Sequence, residues 1–167
     1  MPESSVAARQ IRQAAVLGAG TMGSRIAAHL ANAGIPVVLL DIVPPGTAPD
    51  ASKQERNKLV LAALDALKKS RPAAFYVPEN ARFLRLGNFE DDLALVADCD
   101  WIIEAVAEDL GIKRSLLLKV QQHLRPGAVV TTNTSGLPIA ERAASLPGDL
   151  KPHFVGTHFF NPPRYMH

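Results

Sequence analysis

Apolar residues along this chain follow two rhythms. Short, almost unbroken apolar runs rich in Val, Leu and Ile occur at 13–18, 36–41, 82–86, 100–106, 128–133 and 153–159. A run such as Val37-Val38-Leu39-Leu40 has no polar alternate, so it fits a strand covered on both faces rather than one facing water. Between the runs lie stretches of helical character. The first, 21–33, is Ala-rich and stops at Gly34; a second should begin near Ser52, where Ser52 and Glu55 have capping-box spacing, and continue through Leu59, Leu64 and Leu67 to about Lys69. A third, 109–124, places Leu110, Leu117, Val120 and Leu124 on one side, and a short fourth is expected near 138–145. Strand and helix in alternation predict an α/β, doubly wound, mainly parallel six-stranded sheet with helices on both faces.

A chain of 167 residues suits one domain. Residues 1–10 carry an acid and no apolar segment, which excludes a signal or amphipathic presequence and reads as a disordered lead-in to a domain at 11–167. The 43–49 segment, with three prolines, is a stiffened loop rather than a boundary. No apolar run reaches the roughly 18 residues of a membrane span. The lone Cys99 cannot form an intrachain disulfide, in keeping with a reducing compartment, the cytoplasm by default. Eighteen basic residues are interspersed with sixteen acidic ones, so no stripe for nucleic acid arises. No two histidines have ligand spacing on one element, so no metal site is assigned. The chain stops just past its last strand, at a Pro-rich tail without a closing helix, and is expected to be a piece of something longer.

The first strand runs directly into Gly18-Ala19-Gly20-Thr21-Met22-Gly23 and then into a helix. Strand, G-x-G-x-x-G and helix together form the dinucleotide fingerprint of a Rossmann-type domain. Gly18 makes the tight turn, Gly20 lets backbone approach a pyrophosphate, and Gly23 lets helix and strand pack closely. The helix N-terminus aims unpaired N–H groups and the positive end of its dipole at the phosphates. Asp41 stands 21 positions after Gly20, at the end of the second strand, where its carboxylate can accept from ribose hydroxyls. The same charge repels a 2′-phosphate, and neighbouring Ile42 offers no guanidinium to offset it, so NAD is favoured over NADP.

At Asn133-Thr134-Ser135 and His158-Phe159-Phe160-Asn161-Pro162, together with Ile103-Glu104-Ala105-Val106-Ala107-Glu108 and Lys113, the chain resembles the NAD-binding domain of the 3-hydroxyacyl-CoA dehydrogenases of fatty acid β-oxidation. The resemblance runs from about Ile11 to the last residue. The loop after Asp41 and Asn133-Thr134-Ser135-Gly136 look most like the large bacterial members, in which this domain precedes a helical domain and a hydratase-like region. The resemblance implies NAD as cofactor and oxidation of a 3-hydroxyacyl-CoA substrate to 3-oxoacyl-CoA by hydride transfer. It also implies a full-length protein that is a homo-oligomer or part of a β-oxidation complex. It makes His158 the catalytic base, and Ser135 a contact to both substrate hydroxyl and cofactor. Asn161 matches a residue near the nicotinamide ribose, and Glu108 and Lys113 match residues on the NAD side of the pocket. In the family a glutamate about a dozen residues further on orients the histidine; here it would fall beyond His167. The helical domain that covers the acyl chain would also fall there, so this chain alone is expected to bind NAD and turn over poorly.

Elementary chemistry agrees with part of this. Hydride leaves a secondary alcohol as its hydroxyl proton is removed, and an imidazole titrating near 6.5 suits that task. A serine hydroxyl at a neighbouring strand end can donate to the developing carbonyl oxygen. Blander readings stand beside these. Ser135 could cap a short helix, Glu108 could be a first-turn acid favoured by the helix dipole, and Lys113 could be exposed to solvent. Glu104, inside an apolar strand, calls for a buried partner that the sequence does not name. The competing functions are another NAD-linked hydroxyacid dehydrogenase and a nucleotide-binding domain without turnover.

Overall fold

The computed structural model describes residues 10–133 and 154–166. Six strands form one sheet: β1 (Ala14–Leu17), β2 (Val37–Asp41), β3 (Leu84–Asn88), β4 (Trp101–Glu104), β5 (Val129–Thr132) and β6 (Phe154–Gly156). Their order is β3-β2-β1-β4-β5-β6, and every neighbouring pair is parallel. The order reverses between β1 and β4, the position at which a doubly wound sheet opens a crevice at its carboxyl end.

The unbroken apolar runs have a direct explanation. Alternate residues of the central strands β1, β2 and β4 enter two different cores, whereas the edge strands β3 and β6 turn Arg85 and Val155 to solvent. Ala15, Leu17, Val38, Leu40, Ile102 and Val130 lie on one face, and Ala14, Val16, Val37, Leu39 and Ile103 on the other. The second face is covered by α1 (Thr21–Asn32) through Ile26, Ala27 and Leu30, with Val60 from a later helix. The first is covered by α4 (Leu110–Gln121) through Leu116, Leu117 and Val120. Each fully buried Leu or Ile contributes about 1.5–3 kcal/mol of transfer free energy, so the double cover is the dominant stabilising contact.

Three expectations need correction. The helix placed from Ser52 to Lys69 is two pieces, α2 (Lys53–Arg56) and α3 (Lys58–Lys69). Ser52 and Glu55 do form the reciprocal capping box, but the chain turns at Asn57. That side chain is buried and accepts from the Asn88 amide at 2.8 Å, while Arg56 beside it reaches Asp91 and Glu90. The strand expected at 82–86 begins at Leu84, because Pro78–Phe83 forms a 3-10 turn, and it extends to Asn88, which pairs with Asp41. In α4 the inward stripe is Lys113, Leu116, Leu117 and Val120, whereas Leu110 faces out. A lysine takes an inward position there because an anion waits beneath it, as described below. Residues 1–9 of the lead-in expected at 1–10, and the short helix expected near 138–145, lie outside the described residues.

At the amino end of the sheet, Asp100 accepts from the backbone N–H groups of Arg12 (2.8 Å) and Gln13 (3.1 Å) and pairs with Arg125 at 2.6 Å. The Arg12 amide, with those of Gln13 and the Arg125 charge, holds this carboxyl below its ordinary value against the opposing effect of burial. A group whose folded value is depressed contributes stability above its unfolded value, near 4, and loses it as pH falls through the folded value. The melting temperature should therefore differ most between the protein and Asp100→Asn at neutral pH, with the gap narrowing below pH about 4. Thermal melts by circular dichroism across that range check this; a gap that stays constant into acid contradicts it.

Candidate active site

The three glycines of the first β-α junction are required for three different reasons. Gly18 has φ +102°, and a Cβ there would lie 2.7 Å from the Ala105 carbonyl oxygen. A Cβ on Gly23 would overlap the Gly18 carbonyl oxygen and meet the Ala105 side chain at 3.3 Å. Around Gly20 nothing lies within 4 Å of the same position. No protein atom demands glycine at 20; the open approach to backbone fits a bound pyrophosphate. Gly20 is also the N-cap of α1, which has no side-chain cap and no acid in its first turn. Its leading N–H groups are thus available to an anion. Thr21 is exposed beside the loop, and Met22 packs half-buried on the core.

Asp41 closes the next strand with its carboxylate turned back to this loop. One oxygen accepts from Ala19 N–H at 2.7 Å and the other from its own neighbour Ile42 N–H at 2.7 Å. The carboxylate therefore braces the glycine loop against β2, and its remaining lone pairs suit a ribose diol. The loop, α1 N-terminus and Asp41 together fit the adenosine diphosphate half of NAD.

Across the switch point, β4 ends at Glu104, 1% exposed. One of its oxygens accepts from Val106 N–H at 2.8 Å. The other accepts from Thr132 Oγ1 at 2.6 Å and from Lys113 Nζ at 3.1 Å. Lys113, expected on the ligand side or exposed to solvent, is itself 5% exposed, and its ammonium lies 3.9 Å from the exposed Glu108 carboxylate. A glutamate within an apolar strand was the signal for this cluster; its partners, nine and 28 positions away, were not legible.

On the far side of β5, Asn133 accepts from Phe159 N–H through its side-chain oxygen at 2.9 Å, tying the segment after β6 to the end of β5. Phe159 packs against Trp101 and His29, with ring centroids 6.3 Å away in both cases. With Phe159 fixed inward, His158 and Phe160 project outward as a ring pair 4.9 Å apart. Asn161 is exposed beyond them, and Arg164 holds the tail to the Ala73 and Phe75 carbonyls. Ser135 lies outside the described residues. Cys99 is no rival nucleophile, since burial pushes its thiol up to about 12. Glycine loop, Asp41, Glu108 with Lys113, and His158 with Asn161 all follow carboxyl ends of one parallel sheet. Among the described residues no three His, Cys, Asp or Glu side chains gather as a metal ion would require, and no helix is long and apolar enough to cross a membrane.

The family model described as "3-hydroxyacyl-CoA dehydrogenase, NAD binding domain" matches residues 13–167. The chain belongs to that family. A probable 3-hydroxyacyl-CoA dehydrogenase of Deinococcus radiodurans is 47% identical over 158 residues, covering 95% of this chain and 44% of that protein. A putative fatty acid oxidation complex trifunctional enzyme of Rickettsia felis is 43% identical, covering 94% of this chain and 21% of the relative. Among solved structures, the 3-hydroxybutyryl-CoA dehydrogenase of Escherichia coli aligns with a TM-score of 0.72 at 27% identity, over 93% of this chain and 31% of that one. The chain thus spans less than half the length of these relatives. The Rossmann-type fold, the family and NAD as cofactor stand as expected from the sequence.

The geometry separates Gly20 from Gly23. Gly23→Ala should destabilise the fold by about 1–3 kcal/mol through overpacking, seen as a lowered melting temperature. Gly20→Ala should leave the melting temperature near that of the parent while weakening NAD binding, measured by calorimetry. Equal loss of stability in both variants would contradict the assignment.

Proposed function

We propose that this chain is the cofactor domain of an NAD-dependent dehydrogenase that oxidises 3-hydroxyacyl-CoA thioesters to 3-oxoacyl-CoA. The observation that carries the reading is the presentation of His158. It stands two residues past the last strand, exposed, beside Phe159, whose N–H is held by Asn133 and whose ring packs on Trp101. An exposed imidazole at the carboxyl end of the sheet suits a base that takes a hydroxyl proton as the alcohol is oxidised.

When bound, NAD supplies the hydride acceptor. The chain's own residues hold its phosphates at Gly18–Gly23 and the α1 N-terminus, and its ribose at Asp41. Glu108, Lys113 and Asn161 are assigned to the NAD side of the pocket, and Ser135 to the substrate hydroxyl and cofactor. The negative charge of Asp41 at the ribose supports NAD over NADP. The glutamate that would orient His158 and the helical domain that would cover the acyl chain are placed in the longer protein. That protein is read as a homo-oligomer or as part of a fatty acid oxidation complex, a state in which the Rickettsia relative is named. A cytoplasmic location agrees with the buried, unbridged Cys99.

Two measurements test this. The chain titrated with NAD and with NADP should bind NAD at least about tenfold more tightly, a difference of about 1.4 kcal/mol, and Asp41→Ala should narrow that ratio. In the full-length protein, His158→Ala should lower kcat on 3-hydroxyacyl-CoA by about 10²–10⁴-fold with NAD affinity unchanged. A folded chain without NAD affinity overturns the cofactor assignment. Unchanged turnover in the His158 variant, or turnover of free hydroxyacids alone, overturns the catalytic one.

A further inference from the structure

A glutamate and a lysine buried together are a poor way to stabilise a fold. Taking two charges out of water is expensive, and apolar residues of similar volume commonly serve stability as well or better. Apart from Thr132, the Glu104–Lys113 pair has buried apolar neighbours along the chain: Ile102 and Ile103 precede the glutamate, and Leu116 and Leu117 follow the lysine. Its place in the sheet gives it another use.

Glu104 ends the strand beside the switch point, in register with Leu17, which leads into the glycine loop, and with Thr132, which leads into Asn133. Its carboxylate and main chain together reach every neighbouring element. Through Val106 N–H it shapes the turn after β4. That turn contains Ala105, which meets Gly18 and Gly23. Through Thr132 Oγ1, and through its own carbonyl accepting from Asn133 N–H at 2.8 Å, it fixes the end of β5. Through Lys113 it holds an ammonium at the mouth of α4, within 3.9 Å of Glu108. The ADP-ribose half of a dinucleotide lies over β1 and β2, so its second half must pass over the ends of β4 and β5.

We propose that Glu104 is a positioning residue. With Lys113 as its counter-ion, it sets where the β4 turn, the β5 end and the Lys113 ammonium meet the nicotinamide half of the cofactor, and it reaches the adenosine half only indirectly, through the packing of Ala105 on Gly18 and Gly23. This rests on the dinucleotide reading above, and the test separates the two. A mononucleotide, AMP, uses only the glycine loop and Asp41, so comparison of NAD with AMP isolates the half that Glu104 serves.

Calorimetric titrations of the chain with NAD and with AMP, with thermal melts alongside, should compare the parent, Glu104→Gln and Glu104→Gln/Lys113→Met. The single variant leaves a buried ammonium without its carboxylate. The double removes both charges, keeps the fold neutral in that layer and serves if the single variant does not fold. Glu104→Gln should weaken NAD about tenfold or more, the scale on which misplaced positioning groups act, with AMP affinity held within about twofold, the usual tolerance for independent sites. The double variant should recover the melting temperature without recovering NAD affinity. The inference is overturned if NAD and AMP weaken in equal proportion, if neither changes, or if the double variant regains NAD affinity together with stability. Parent protein that binds AMP but gains nothing from the nicotinamide half also overturns it. Parent protein that binds neither overturns the dinucleotide reading on which it stands.

Discussion

The carboxyl ends of β1 and β4 meet with no room for an additional carbon between them. Gly18 and Gly23 both abut Ala105 of the turn after β4, and a methyl group on either would collide with backbone. This contact fixes where α1 begins and hence where its free N–H groups point. It also fixes the width of the crevice at the point where the strand order reverses. Everything else at the site is arranged around that junction, because a parallel sheet gathers the following loops at one edge.

Charge at that edge is handled in two contrasting ways. On the β1–β2 side the helix end is left open: α1 has neither a capping side chain nor an acid in its first turn, and Gly20 leaves its backbone bare. Asp41 is held against the glycine loop by two backbone amides, those of Ala19 and Ile42. On the β4–β5 side charge is buried and paired, Glu104 with Lys113. One side leaves helix amides and open space at its surface, and the other is made rigid by a satisfied polar cluster.

The His158 segment adds a third element that belongs to neither side. Its backbone is secured by Asn133 and its depth by Phe159 between Trp101 and His29. Trp101 is in turn oriented by a hydrogen bond from its indole N–H to Thr131 at 2.9 Å. An aromatic residue sunk into the sheet's side layer thus decides that the histidine before it faces outward, since neighbouring residues of an extended chain point to opposite sides.

Much of this was written in the residues themselves. In β1, β2 and β4 unbroken apolar runs meant strands covered twice, because each alternate residue has its own core to enter. The glycine spacing located the tight junction of β1 and α1, and Asp41 the end of β2, because turn geometry and strand ends are local properties. The motif around His158 pointed to the family. What the linear order could not supply were pairings across long separations. Asn57 breaks a helix because Asn88, 31 positions on, donates to it. Lys113 turns inward, against the helical pattern that put Leu110 there, because Glu104 lies beneath it. Glu104 in turn is satisfied by Thr132 from a neighbouring strand. A buried polar group announces in sequence only that it needs a partner; which one it finds is decided by the register of the sheet.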